Sequence, residues 1–426
     1  MIGPIPKTLL PDNASVDNDG MLLLAGVRVD SLVEKYGTPL FVYDEAHIRS
    51  RCQQAVRAFG EGVSYASKAF LCTAMARLAY EEGMHIDVAT MGEAYVALEA
   101  GVPASHLVFH GNNKSETELQ YAIDNQVGRI VIDSFDEIDR LENLLGDSGK
   151  EIQALIRVTP GIQASTHEYV TTGQNDSKFG FTVSTGWAEE AVERASSSSC
   201  INLLGIHAHI GSQVFSLDSF RKAAEVLANL SKHFELPELS VGGGLGVAYL
   251  EDEESLSIEE WGRTIKSVCD EAGVTARVTA EPGRAIVASA AITLYTVGTI
   301  KELEDIRTYV AVDGGMHDNP RPALYGSGYE TFVPSRVLDD RTSRITLVGK
   351  HCESGDVIVS DGYVPEGLRV GDIVATPVTG AYGHSMGSNY NKVLRPAAVF
   401  VNGGSDRLVI RRETLSDLIN TDMGIN

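Results

Sequence analysis

The chain holds 426 residues, 43% of them hydrophobic and 22% charged, enough for a sizeable core and, at about 150 residues per domain, for two domains. Its 58 acidic against 35 basic residues leave a net charge of −23, which repels nucleic-acid phosphates and anionic membrane surfaces, so neither is expected as a partner. No run approaches the roughly 20 apolar residues of a membrane span and the amino terminus lacks the basic flank and apolar core of a signal peptide, so a cytoplasmic protein is expected.

The strand-like segment MLLLAGVRV comes first. From Leu40 to about Ala288, short β-type runs (LFVY, VSYA, HIDVA, LVFHG, RIVIDS, ALIRV, LLGIHAHI, ELSVGGG, RVTAEPG) then alternate with stretches whose apolar residues recur at helical spacing, as in 48–59 and 187–196. That alternation predicts βα units around a parallel sheet, and their number suits a (β/α)8 TIM barrel over 37–289 better than an open doubly wound sheet. After Ala288 the texture changes to strands broken by Gly, Pro and Asp turns (ITLYTVGTI, TYVAVDGG, RITLVGK, DIVATPV, AAVFVN, RLVIRRE). An all-β domain, sandwich- or barrel-like, is predicted there, to which MLLLAGVRV can add strands, giving 1–36 plus 290–426.

Barrel enzymes build their sites at the carboxyl ends of the strands, and the chemistry-bearing residues fall there in order. Lys68 ends VSYASKAF, where apolar neighbours would partly desolvate its amine and free the lone pair to attack a carbonyl; a lysine that merely snorkels to water is the alternative. Asp87 lies on the next strand. His209 follows LLGIHAHI, either as a core histidine or as a planar ring stacked on a cofactor; HxH suggests metal, but no carboxylate or further His stands at ligand spacing. The glycines of VGGGLG (Gly242, Gly243, Gly244, Gly246) and the Gly283–Arg284 pair suit a phosphate corner of bare N–H groups and a guanidinium, or simply tight turns, and the run lacks the third glycine of GxGxxG. Glu281 can pair with Arg284 or keep a pyridine nitrogen protonated. The five cysteines (Cys52, Cys72, Cys200, Cys269, Cys352) are odd in number with no CxxC pair, so reduced thiols and neither disulfides nor a zinc ribbon are expected. Cys352 sits among His351, Glu353, Ser354 and Asp356, polar company that suits a thiol exchanging protons.

Taken together YASKAF, HIDVATMGE, FHGNNKS, THEYVTTGQNDSKFGF, HAHIGSQ, VGGGLG, EPGR, VDGGMHDNPRPALYG, GKHCESGD and TGAYGHSMGSNYN resemble the fold-type III pyridoxal phosphate-dependent decarboxylases over about residues 40–391. CESGD with RPALY resembles the branch acting on diaminopimelate; Thr90 departs from the expected Ser. The resemblance implies pyridoxal 5'-phosphate held by Lys68 as a Schiff base, with Asp87 among its contacts and His209 stacked on its ring. Ser212, Gly246, Gly283 and Arg284 would hold its phosphate near Tyr382, and Glu281 would face its ring nitrogen. Arg284, Arg321, Tyr325 and Tyr382 would grip the substrate's distal carboxylate, Glu353 would bind its distal ammonium, and Cys352 would donate the proton. It further implies decarboxylation of meso-2,6-diaminopimelate to L-lysine, the last step of lysine biosynthesis. A homodimer is implied as well, with Cys352 and Glu353 reaching into the neighbouring subunit's site.

Three rivals are weaker. A sibling acting on ornithine, arginine or a carboxylated polyamine would give Arg321 nothing to bind. A racemase would want arginine in place of Glu281. A cofactor carrier would not need CESGD.

Overall fold

The computed structural model describes residues 3–146, 148–162 and 176–424; of THEYVTTGQNDSKFGF, positions 166–175 lie outside them. The chain divides into two compact units, one of residues 51–247 and 255–285, the other of 1–50, 248–254 and 286–426.

The first unit is a (β/α)8 barrel. Eight parallel strands run in order, Ser64–Ala66, His85–Val88, Leu107–Phe109, Arg129–Ile132, Ile152–Thr159, Ile201–His207, Glu238–Ser240 and Arg277–Thr279, each paired with its sequence neighbour. The sheet closes through Ser64 N–H donating to Ala280 O (2.9 Å) and Ala66 N–H to Pro282 O (3.2 Å). Closure matters because it brings the end of the last strand against the turn that carries Lys68. The first five of these strands are buried nearly end to end, as parallel strands covered on both faces are. The helices between them are set by local chemistry: the Thr90, Ser115, Ser134, Ser216 and Ser257 side chains each accept the N–H three residues on, a cap worth about 1 kcal/mol. Thr90 thus offers the same capping hydroxyl that a serine would.

The second unit is built on a mixed sheet in the order Val357–Val364, Ser343–Val348, Arg307–Val312, Ala291–Leu303, Leu40–Asp44, Ala397–Asn402, Ser405–Ile410, with Ile373–Pro377 also paired to Ala291–Leu303. The run LFVY, read with the barrel from its sequence, belongs here. Leu40–Asp44 pairs antiparallel with Ala291–Leu294 and parallel with Ala397–Val401. All five of its residues are buried, and a short apolar strand covered on both faces reads alike in either kind of sheet. MLLLAGVRV forms a separate three-stranded antiparallel sheet with Ala14–Val16 in the same unit, tied to the end of the large sheet by Gly404 N–H donating to Ala25 O at 2.7 Å.

Candidate active site

Lys68 occupies a 3-10 turn, Ser67–Ala69, directly after the first barrel strand. Ser67 and Ala69 are buried while Lys68 is exposed, so its sequence neighbours face inward and the turn presents the lysine at the carboxyl end of the first barrel strand. The turn is fixed from beneath. A Cβ on Gly283 would lie 2.9 Å from both the Cβ and the carbonyl oxygen of Ala66 and 3.2 Å from Ala69 Cβ, so only glycine lets the EPGR segment pack this closely. The positive charge of Lys68 bears on Glu93, His110 and His209. Burial nonetheless raises the Glu93 carboxyl, whose oxygen accepts Ala89 N–H at 2.6 Å.

Below the lysine lies a buried cluster around Glu281. Its Oε2 accepts from His207 Nε2 at 2.9 Å and its Oε1 from Ser240 Oγ at 3.0 Å, and His110 Nε2 stands 3.4 Å from the same carboxylate and 3.6 Å from Asp87. Asp87, His110, His207 and Glu281 are all buried. Burial alone would raise the Glu281 carboxyl, but the charges and hydrogen bonds of His110 and His207 outweigh it and hold it well below the ordinary carboxylate range. Burial likewise disfavours the charged form of His110, yet Asp87 and Glu281 win and its pKa is raised. For His207 burial wins and the pKa falls. The arrangement is therefore a buried Glu281 carboxylate between two imidazoles, with Asp87 and Glu281 favouring the protonated form of His110 and burial favouring the neutral form of His207.

His209 is half-buried, and burial, then the charges of Lys68 and Arg157, push it well below its ordinary pKa. Its Nδ1 accepts Gly243 N–H at 3.1 Å, so the neutral ring carries its proton on Nε2. The glycine run is shaped by close backbone approach: Gly242 at φ +68° and Gly244 at φ +107° would each place a Cβ 2.2 Å from a carbonyl oxygen, of Ala208 and Gly211. Its N–H groups are less bare than the sequence suggested. Gly242 donates to Ser240 Oγ, Gly243 to His209 and Gly246 to Val214 O at 2.9 Å, because the loop folds back on Val214 as an isolated parallel bridge. Arg284, also buried, donates from Nη2 to Ser212 Oγ at 2.9 Å, which joins the guanidinium and hydroxyl of the expected corner.

In the second unit Arg321 begins the short helix Arg321–Tyr325 and is 4% exposed. Its guanidinium donates to Tyr329 Oη (3.2 Å) and Ser327 Oγ (3.0 Å) and lies 4.4 Å from the Tyr249 ring centre. No carboxylate forms a salt bridge with it among the described residues, an unusual condition for a buried cation. Tyr325 closes the same helix, half-buried, and Tyr382 is half-buried in the left-handed backbone region at φ +58°. Cys352 and Glu353 are exposed.

Of the residues named from the sequence, Asp87 and Glu281 meet in the buried cluster, together with His110 and His207, which the sequence reading left out. Both were visible as polar residues at strand carboxyl ends, in FHGNNKS and HAHIGSQ. His207, the first histidine of HxH, does meet a further His and a carboxylate, brought in from other strands: ligand atoms of His110, His207 and Glu281 lie within 4.8 Å of one another. Their mutual hydrogen bonding accounts for the closeness.

The pyridoxal-binding domain of the pyridoxal-dependent decarboxylases matches residues 45–288. The chain is 46% identical to a diaminopimelate decarboxylase of Bacillus subtilis, covering 95% of each chain, and 44% identical to that of Mycobacterium tuberculosis, covering 97% of each. A crystal structure of the M. jannaschii diaminopimelate decarboxylase with L-lysine superimposes with a TM-score of 0.89 at 30% identity, over 97% of this chain and 98% of that one.

Proposed function

The chain belongs to the pyridoxal-dependent decarboxylases, in the diaminopimelate decarboxylase family, and from that premise we propose that it converts meso-2,6-diaminopimelate to L-lysine and CO2, the last step of lysine biosynthesis. Its cofactor is pyridoxal 5'-phosphate, and the donor set suits that molecule: an exposed amine at Lys68, a buried ionised carboxylate at Glu281, a neutral ring at His209 and the Ser212–Arg284 pair. When bound, this cofactor supplies a carbonyl carbon for covalent attachment of an amine and a ring that takes up the electron pair left as CO2 departs.

The residues of the chain then have distinct tasks. Lys68 Nζ would hold the cofactor through the carbonyl carbon that the cofactor supplies. Glu281, kept ionised by His110 and His207, holds a proton at the ring nitrogen, with Asp87 sharing the balancing charge on His110. His209 offers a flat neutral face. Ser212, Gly246, Gly283 and Arg284 bind the phosphate, with Tyr382 nearby. Arg284, Arg321, Tyr325 and Tyr382 bind the distal carboxylate, Glu353 binds the distal ammonium, and Cys352 Sγ returns a proton to the α-carbon. We include in the proposal a homodimer whose neighbouring subunit receives Cys352 and Glu353; its support is that both side chains stand exposed in this chain. A cytoplasmic location is part of the same reading, supported by cysteines that are odd in number and include no CxxC pair.

One observation carries the substrate assignment: Arg321 is buried without a carboxylate to balance it among the described residues, which calls for an anionic ligand. Ornithine and lysine lack a distal carboxylate. The test is to supply purified protein with meso-diaminopimelate, L-lysine and L-ornithine in parallel and to measure CO2 and product amines. Turnover of diaminopimelate with negligible turnover of the other two supports the reading; comparable turnover of ornithine overturns it.

A further inference from the structure

The tightest unexplained construction lies beside Cys352 and Glu353, in the segment SNYN that the reaction scheme leaves unused. Residues 352–355 form a run of four exposed positions between buried His351 and buried Asp356. The Asp356 carboxylate fixes the base of the turn by accepting the N–H groups of His351 (2.9 Å) and Met316 (2.6 Å). That anchoring sets where the turn is and leaves Glu353 at its tip otherwise unrestrained. Among the described residues the Glu353 carboxylate has a single hydrogen-bond partner, Tyr390, whose Oη donates to Oε2 at 3.3 Å.

Tyr390 is itself held in place. Its ring lies over His351, centres 5.2 Å apart and planes tilted 34°. His351 is locked on both nitrogens: Nδ1 faces Asn391 Oδ1 at 3.0 Å and Nε2 faces His317 Nδ1 at 2.9 Å. With the amide oxygen as acceptor, His351 donates from Nδ1 and accepts from His317. Burial, and then the charge of His351, push His317 down to about 3, so His317 stays neutral, and the contacts on both nitrogens of His351 keep the platform in one orientation. The following backbone is strained: Asn391 at φ +51° and Lys392 at φ +56° sit in the left-handed region, which non-glycine residues enter only where surrounding contacts impose it. Asn389 closes the turn by donating to Val393 O at 3.0 Å.

We propose that Tyr390 is a positioning residue that aims the Glu353 carboxylate at the distal ammonium of the substrate, with the His317–His351 pair as its platform. The inference rests on the role assigned to Glu353 above. The plain alternative, a tyrosine that only packs on His351, makes a different prediction, because a phenylalanine keeps the ring and loses only the hydroxyl.

Tyr390→Phe should therefore raise KM for meso-diaminopimelate about 3- to 10-fold, the range of one partly exposed charge-assisted hydrogen bond, with kcat within about twofold of wild type. Affinity for L-lysine, which carries the same distal ammonium, should weaken by a similar factor when read from the change in cofactor absorbance on titration. In a Glu353→Gln background the additional Tyr390→Phe change should alter KM and lysine affinity by less than about twofold, since the two residues act through one contact. Multiplying losses in the double variant, or an unchanged KM in Tyr390→Phe, would overturn the proposal. A wild-type protein that neither turns over diaminopimelate nor changes colour with it would instead sink the functional reading, which keeps the two failures apart.

Discussion

Glu281 and Glu353 are the same side chain in opposite settings. Glu281 is buried at the end of the last barrel strand, with donors from His207 and Ser240 and His110 close by. Glu353 is exposed at the tip of a turn, with one tyrosine hydroxyl beside it. The difference follows from what each carboxylate must do. A group that has to be ionised before any substrate arrives must bring its own compensation, because an unpaired buried charge is costly. A group that binds an incoming ammonium must leave its lone pairs open, and a neutral hydroxyl can orient it without neutralising it. The barrel unit is thus pre-paired and the CESG turn is left open.

The largest effect should come from removing the lysine above the pre-paired cluster. Lys68→Ala should lower turnover by at least about a thousandfold, the scale of losing a covalent attachment point that also moves protons. Borohydride should no longer trap cofactor on the chain. Mass spectrometry that finds the reduced adduct on another lysine would show that the barrel unit was misread.

Arg321 tests the other unit. It shares burial with Glu281 but lacks a built-in counter-ion among the described residues, so its balancing charge should be the substrate. Removing one partner of a buried charge pair costs about 2–5 kcal/mol, or roughly 30-fold to several thousand-fold in kcat/KM. Arg321→Ala should show that loss on diaminopimelate while the cofactor absorbance stays as in wild type. A variant that loses cofactor as well would place Arg321 in the scaffold.

The openness of the turn can be tested by mixing. If Cys352 and Glu353 complete a neighbouring subunit's site, inactive Lys68→Ala and Cys352→Ala chains should together recover about a quarter of wild-type activity. Random pairing makes half of the dimers mixed, and each mixed dimer holds one intact site of two. Demonstrated subunit exchange with no recovery would mean that each chain completes its own site.

Much of this was legible because barrel strands announce their carboxyl ends. Lys68, Asp87, His209 and Glu281 each close a short β-prone run, and position alone marked them. What position could not supply was pairing across the barrel. His110, His207 and Glu281 come from three separate strands, and a search for ligand spacing along the chain could not see them meet. LFVY was misassigned because a strand buried on both faces carries no sign of which sheet it joins. Val357–Val364 escaped notice because Asp361 and Gly362 interrupt its pattern, and the pairing with Ser343–Val348 shifts register near the same place. The exposure of Lys68 was hidden by apolar neighbours that turn the other way. Tyr390 had no signal of its own, since its role depends on a histidine platform assembled from two distant segments.

The smallest effect expected concerns the proton inside the pre-paired cluster. His110 stands between Asp87 and Glu281, and its pKa in the folded chain is raised above the ordinary 6.5. A group whose folded pKa is raised adds stability that is fully present below the unfolded value and is lost as pH rises through the folded one. The imidazolium should thus stabilise the barrel most at pH about 6 and below, and progressively less above. His110→Gln keeps an amide that can donate to Glu281 but cannot carry the proton. With cofactor saturating, the variant should melt a few degrees below wild type near pH 6, on the scale of about 2–4 °C per kcal/mol for larger domains. The gap should narrow as pH rises through the raised folded pKa and the wild-type imidazole loses its charge. A gap that stays constant from pH 6 to pH 9 would mean that His110 contributes packing alone, and the ionised state of Glu281 would then rest on its bonds from His207 and Ser240.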